Sequence, residues 1–402
     1  MINVKDELVL PKGFMASGVH AGLKKVKLDM ALLYSQADCT TSSTYTTNKV
    51  KAAPVIYDMN IKALPKKGVV INSGNANAVT GEKGLNDAKT MASLCAEYLG
   101  GIQDDYFVAS TGVIGVPLDM DKIKKGIALA VDELDNTNEA ANNAATAILT
   151  TDTHKKCVTA TFMFDGDLVT VSGFAKGSGM IHPNMATTLS FIMTDAKIDQ
   201  DKLQMLTGED VENTFNMISV DGDTSTNDSC FVFANGLSGV DCNSGKAFLE
   251  FSVALKEVLR KLAIMLVKDG EGAEKFIEAE VNGAIDNENA KILARSIISS
   301  NLVKAAFFGS DANWGRILCA MGYSGADFDP LKTDLYFISS KGKIQTLSKG
   351  EPISFSEELA KEILLEKEVK VLAELNSGNG SATAWGCDLT YEYVKINGDY
   401  RS

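Results

Sequence analysis

The chain has 402 residues, 45% of them apolar and 23% charged, with a formal net charge of −13. This length suggests two or three domains with sizeable cores, and the acidic balance disfavours nucleic acid and anionic membrane as partners. The seven cysteines are scattered without a CxxC pair and there are only three histidines (His20, His154, His182), which argues against a disulfide framework, a structural zinc site or a His-rich metal centre. No stretch approaches the roughly 20 apolar residues of a membrane span, and the N-terminus lacks the apolar core of a secretion signal. A cytoplasmic enzyme or binding protein for small molecules is expected.

In chain order, the first clear strand is 68–71. A helix follows at 84–99, where Leu85, Ala88, Met91, Ala92, Cys95 and Leu99 share one face. A helix at 121–134 resumes over 139–149 after an Asn/Thr-rich interruption. Residues 158–164 alternate apolar and polar, and the turn Asp165-Gly166-Asp167 closes a hairpin with a strand at 168–171. A strand at 189–193 precedes a long helix at 247–267, which stops at Lys268-Asp269-Gly270. Beyond a strand at 276–281, the polar stretch 282–289 is the expected boundary between a domain 1–283 and a domain 284–402. The remaining expectations are a helix at 288–306, a strand at 335–339, a helix capped within 354–358 and ending near Leu365, and a strand at 390–396. Hairpins mixed with helices point to an α+β layered fold.

Several loops are rich in Gly, Asn and Thr: 72–77, 110–115, 150–153, 176–180 and 269–273. Their glycines permit close approach of backbone N–H groups to a ligand, although each loop alone reads more readily as an ordinary turn. None is a P-loop, and no GxGxxG opens a βαβ unit. The sharpest segment is 179–191, GMIHPNMATTLSF. A threonine here is either a plain β-former or, if it becomes an N-terminus, a nucleophile whose own α-amino group serves as base. The second reading requires a cut between Ala186 and Thr187. His182 is read as a bystander, since a histidine base needs an orienting partner and the sequence shows none.

The segment 179–191 resembles the autoprocessing site of the ornithine acetyltransferases, the glutamate N-acetyltransferases of arginine biosynthesis, whose hallmark is GMI-x-PNMAT. Further blocks resemble that family in the family order: PKGF (11–14), TNKVKAAPV (47–55), NSGNANA (72–78), STGVIG (110–115), LTTDT (149–153), DGEGA (269–273), DANWGR (311–316) and NGDYRS (397–402). Together they cover essentially the whole chain.

The resemblance implies a layered nucleophile domain of the self-processing aminopeptidase and ornithine acetyltransferase type, with a smaller C-terminal α/β domain. Self-cleavage between Ala186 and Thr187 would give an α piece, 1–186, and a β piece, 187–402. Thr187 would then carry the acetyl group from N-acetylornithine to glutamate. Thr111 and Gly112 would form the oxyanion hole, and Thr150, Lys176, Thr187, Glu271, Asn397 and Ser402 would bind substrate. The family usually ends in threonine and more often has alanine where Gly398 stands; serine keeps the hydroxyl and the terminal carboxylate. No cofactor and no metal is implied, whereas a heterotetramer of two α and two β pieces is. The sequence leaves open whether acetyl-CoA is a second donor. Two alternatives stand beside this reading: a self-processing aminopeptidase or amidohydrolase on the same scaffold, and a non-catalytic amino-acid binding protein.

Overall fold

The structure, a computed structural model, describes residues 2–63, 65–182 and 188–398. Ala186, Thr187 and Ser402 therefore lie outside the described residues. The chain divides into two compact units. One comprises Met1–Gly177, Pro183–Asn216 and Thr224–Leu266; the other comprises Ser178–His182, Met217–Asp223 and Val267–Ser402. The polar stretch 282–289 does not lie at this division. It closes the strand Phe276–Ala284 and starts the helix Asn287–Ser299, where the Asp286 carboxylate accepts from the Asn289 N–H at 2.8 Å. Its polarity serves a helix cap.

The first unit is built on a nine-stranded sheet. The strands run in the order Asn3–Lys5, Lys156–Phe164, Asp167–Lys176, Leu189–Thr194, Ser229–Ala234, Met30–Tyr45, Lys66–Asn75 and Tyr106–Val113, with Phe14–Val19 also paired to Met30–Tyr45. Ser229–Ala234 lies parallel to Leu189–Thr194, and Lys66–Asn75 parallel to Tyr106–Val113. The expected hairpin is present. Asp165 and Gly166 both take left-handed backbone (φ 50° and 97°), the pair of conformations that a two-residue turn between twisted strands demands.

One face of this sheet carries a row of phenylalanines. Phe231 stacks on Phe191 with ring centroids 5.7 Å apart and meets Phe107 at 4.8 Å. Each fully buried side chain of this size stabilises the fold by about 1.5–3 kcal/mol. The helices Gly81–Leu99, Met120–Asp132 and Asn138–Ala147 bury Ala88, Met91, Ile123, Ile127, Ala141 and Ala144 in the same cluster. The alanines of Asn138–Ala147 let that helix approach the strand Phe14–Val19 closely. A Cβ on Gly18 would stand 2.1 Å from the Asn143 carbonyl oxygen, so no larger residue is admitted there. The opposite face is covered as well: a Cβ on Gly173 would meet Leu262 Cδ1 of the helix Gly245–Lys268 at 3.3 Å. The fold is α+β and layered, as expected. The strand Met30–Tyr45 had no signal, because it is buried for most of its length and its Ser/Thr-rich second half does not alternate.

The second unit carries a seven-stranded sheet in the order Glu351–Pro352, Gly342–Ser348, Asp334–Ser339, Glu368–Glu374, Phe276–Ala284, Gly380–Cys387 and Ile218–Ser219. Two expectations are corrected here. The helix expected at 288–306 is two helices, Asn287–Ser299 and Asn301–Phe308. Ser300 between them is extended and caps the second by accepting from the Val303 N–H. The strand expected at 390–396 is the helix Tyr391–Gly398, opened by Thr390, whose hydroxyl oxygen accepts from the Tyr393 N–H at 3.3 Å. The helix Glu357–Leu365 begins as expected, with Ser356 as its cap. No helix among the described residues is long and apolar enough to cross a membrane.

Candidate active site

In the first unit, the parallel strands Lys66–Asn75 and Tyr106–Val113 end side by side at Gly74 and Gly112. Gly112 has φ +132°, and a Cβ there would stand 2.3 Å from the Gly74 carbonyl carbon. Only glycine lets the two ends meet. Gly112→Ala is expected to cost about 1–3 kcal/mol by forcing the strands apart, measurable by denaturant unfolding. Thr111, just before it, is buried, and its Oγ1 accepts from Lys176 Nζ at 2.9 Å. A hydroxyl that accepts from an ammonium keeps its own O–H to donate, which suits it to developing negative charge.

Asp152 organises the neighbouring residues. Its Oδ1 accepts from Lys156 Nζ at 2.5 Å and from the Gly177 N–H at 2.7 Å, while Oδ2 accepts from the Thr150 N–H at 3.0 Å. Both members of the Asp152–Lys156 pair are buried. Burial alone would raise the Asp152 pKa, yet the Lys156 and Lys176 ammoniums outweigh it and hold the carboxyl at about 2. Lys24 lies near the same charges, its Nζ donating to the Leu149 and Leu28 carbonyls at 2.6 and 3.0 Å. Burial lowers its pKa to about 8, with Asp29 opposing and Lys27 and Lys176 adding to the effect. The unit thus joins Thr111, Thr150 and Lys176 through Asp152. Sequence reasoning gave Asp152 no role and passed over Lys24 and Lys156.

The Asn-rich block 72–77 braces the backbone. Asn72 Nδ2 donates to the Asn75 carbonyl at 2.9 Å, and Ser110 Oγ donates to Asn72 Oδ1 at 2.6 Å. Asn227 Nδ2 ties the two strand ends together by donating to the Ala76 and Ser110 carbonyls at 2.6 and 2.8 Å. Next to it, buried Asp228 accepts at Oδ1 from the Thr188 N–H at 2.8 Å. Burial raises the Asp228 pKa to about 7, against the opposing pull of that N–H and of Lys176. Neither residue had been singled out; both belong to the polar run 221–229, which carries no periodic signal.

The second unit brings Glu271 and Asn397 together. Asn397 Nδ2, on the helix Tyr391–Gly398, donates to Glu271 Oε2 at 2.7 Å, and the Glu271 N–H donates to the Ser178 carbonyl at 2.9 Å. Glu271 is buried. A Cβ on Gly179 would stand 2.3 Å from Glu271 Oε2, so the glycine opening the GMI segment is what admits the carboxylate. The next two N–H groups, of Met180 and Ile181, donate to the Asp221 carboxylate at 2.6 and 2.9 Å. His182 has partners that the sequence did not reveal. Nδ1 lies 3.0 Å from Ser219 Oγ, and Nε2 lies 3.4 Å from an Arg295 guanidinium nitrogen. Burial and the Arg295 charge lower its pKa.

A profile of the ArgJ family matches residues 15–402. The arginine biosynthesis bifunctional protein ArgJ of Caldanaerobacter subterraneus subsp. tengcongensis is 52% identical, covering 98% of this chain and 98% of its own length. That of Thermotoga neapolitana is 47% identical, over 98% of this chain and 100% of its own. A crystal structure of the arginine biosynthesis bifunctional protein from Bacillus halodurans, 45% identical, matches with a TM-score of 0.49 and covers 52% of this chain and 97% of that one.

Proposed function

The chain belongs to the ArgJ family, and from that premise we propose that it transfers the acetyl group of N-acetylornithine to glutamate through Thr187. The products are ornithine and N-acetylglutamate. The bifunctional name of its relatives supports acetyl-CoA as a second acetyl donor to glutamate. The working form is a cytoplasmic heterotetramer of two 1–186 and two 187–402 pieces.

Activation comes first. Thr187 Oγ attacks the Ala186 carbonyl carbon, the C–N bond breaks, and the hydroxyl proton passes to the departing nitrogen. Water then hydrolyses the ester, leaving an Ala186 carboxylate and a free Thr187 amine. In each turnover the neutral amine takes the Oγ proton as Oγ attacks the acetyl carbonyl. The tetrahedral oxyanion is stabilised by the Thr111 hydroxyl and the Gly112 N–H, donors worth about 3 kcal/mol each. Collapse expels ornithine, with the proton returning to its α-nitrogen, and leaves acetyl-Thr187. The glutamate amine attacks that ester in the second half. Thr150 and Lys176 hold substrate carboxylate, Glu271 pairs with substrate ammonium and Asn397 orients it, and the terminal Ser402 contributes its hydroxyl and carboxylate.

The observation that carries this reading is the hydrogen bond from Lys176 Nζ to Thr111 Oγ1. It commits the acceptor side of the hydroxyl to a cation and leaves the donor side for an oxyanion. Thr111→Ala is expected to lower kcat/KM by roughly 10²-fold at every pH. The profile should rise with a midpoint near the ordinary α-amine value of about 7.7, unmoved by Thr111→Ala or by His182→Ala. A midpoint that vanishes in His182→Ala would make the histidine the base. Lys176→Met should raise KM for both amino acids and also lower kcat, because Thr111 loses its donor.

Three incubations test the function itself: N-acetylornithine with glutamate, N-acetylornithine alone, and acetyl-CoA with glutamate. The first and third should form N-acetylglutamate, and the second should release little acetate. Acetate release at full speed without glutamate would identify a hydrolase.

A further inference from the structure

Thr188 follows the residue on which the proposed chemistry turns, and its backbone is unusual. Its φ is +116°, in the region that a β-branched residue avoids because Cβ meets its own backbone. Such a conformation persists only where the surroundings impose it. Two hydrogen bonds do so. The Thr188 N–H donates to Asp228 Oδ1 at 2.8 Å, and the Thr188 carbonyl accepts from the Ser229 N–H at 2.9 Å. Both partners are anchored: Ser229 opens the strand Ser229–Ala234, which lies parallel to Leu189–Thr194, and the Asp228 carbonyl accepts from the Thr46 N–H at 3.0 Å.

Asp228 is an expensive choice for this clamp. It is 3% exposed, so the clamp buries an ionisable group. The Lys176 ammonium, at the end of the strand Asp167–Lys176, and hydrogen bonds from Ser225 favour its ionised form without overcoming its burial. A buried acceptor set against a strained backbone, one residue beyond the proposed nucleophile, has a task other than packing.

We propose that Asp228 is a positioning residue for self-cleavage, holding the amide of Thr188 in the high-energy conformation from which the Ala186–Thr187 bond breaks. The inference rests on the self-processing reading above. The peptide plane that carries the Thr188 N–H also carries the Thr187 carbonyl, so fixing one fixes the direction in which the chain leaves Thr187. In the step itself the Thr187 Oγ bond to the Ala186 carbonyl carbon forms, the C–N bond breaks, and the hydroxyl proton ends on the Thr187 nitrogen. The cut frees the chain on one side of the strained residue.

The test is the rate of conversion of freshly synthesised full-length chain into two pieces, followed by intact mass, with a thermal melt of each precursor as a folding control. Asp228→Ala should slow cleavage by roughly 10²-fold, and Asp228→Asn, which keeps an acceptor at the Oδ1 position, should restore it to within about tenfold of wild type. Thr188→Gly accepts φ +116° without strain and should cleave roughly tenfold more slowly from a precursor at least as stable as wild type. If Asp228→Ala fails to fold, Thr188→Gly decides. A folded Asp228→Ala that cleaves at the wild-type rate, an Asp228→Asn as slow as Asp228→Ala, or a Thr188→Gly no slower than wild type overturns the inference. A wild-type chain that stays whole would instead overturn the self-processing reading.

Discussion

Thr187→Ala is expected to leave the protein as a single chain of 42.9 kDa and to abolish acetyl transfer, whereas the wild-type protein should separate into pieces 1–186 and 187–402. Both losses have one cause. In the proposed mechanism alanine removes the oxygen that attacks the Ala186 carbonyl, so the α-amine proposed as base in turnover is never released. The expected effect is total, unlike that of a binding residue, because the proposed nucleophile and base are the same amino acid. Thr187→Ser keeps both and should retain partial cleavage and activity. Gel electrophoresis under denaturing conditions and N-terminal sequencing of the larger-numbered piece decide the point. A wild-type protein fully active while uncut would contradict it.

The second large effect falls on stability. Asp152→Ala takes from Lys156 the carboxylate it pairs with at 2.5 Å, in a place where both side chains are out of water. Breaking a buried pair from one side costs about 3–5 kcal/mol, and the Thr150 and Gly177 N–H groups lose their acceptor as well. Asp152→Asn keeps an acceptor and should be milder. The pH dependence follows from a carboxyl held at about 2 in the folded state against about 3.9 in the unfolded chain. The unfolded chain binds the proton more readily, so this stabilisation is full above about pH 4 and is lost as the pH falls towards 2. It amounts to about 2–3 kcal/mol, which Asp152→Asn should remove from the acid limb of the stability profile. Asp228, shifted the other way, takes stability away as the pH rises from about 4 to about 7. Denaturant unfolding at a series of pH values measures both slopes. An Asp152→Asn profile parallel to wild type down to pH 2 would mean that the pair is not ionised.

Much of the fold was legible where one residue pattern admitted one structure. The hairpin of Lys156–Phe164 and Asp167–Lys176 announces itself by alternation and an Asp-Gly turn, and the helix Gly81–Leu99 by its apolar face. The central strand Met30–Tyr45 was silent because burial on both sides erases alternation. The helix Tyr391–Gly398 read as a strand because Tyr391, Tyr393, Val394 and Ile396 gather on no single helical face, and only the Thr390 cap marks the helix. The site follows the same division. Glycines that admit a neighbour, Gly112 against Gly74 and Gly179 against Glu271, stand in recognisable blocks. Asp152 pairs with Lys156 outside any helix, and Asp228 reaches Thr188 across 40 residues of sequence. Contacts of that kind leave no periodic trace.

Acetyl-Thr187 is the intermediate on which the proposed transfer depends. Cleaved protein should be mixed with N-acetylornithine in the absence of glutamate, quenched in acid, and its two pieces weighed. The 187–402 piece should be heavier by one acetyl group, with fragment ions placing that group on the oxygen of Thr187, and adding glutamate before the quench should discharge it as N-acetylglutamate. A 187–402 piece of unchanged mass in a protein that still turns over, or an acetyl group on any other residue, would contradict the mechanism.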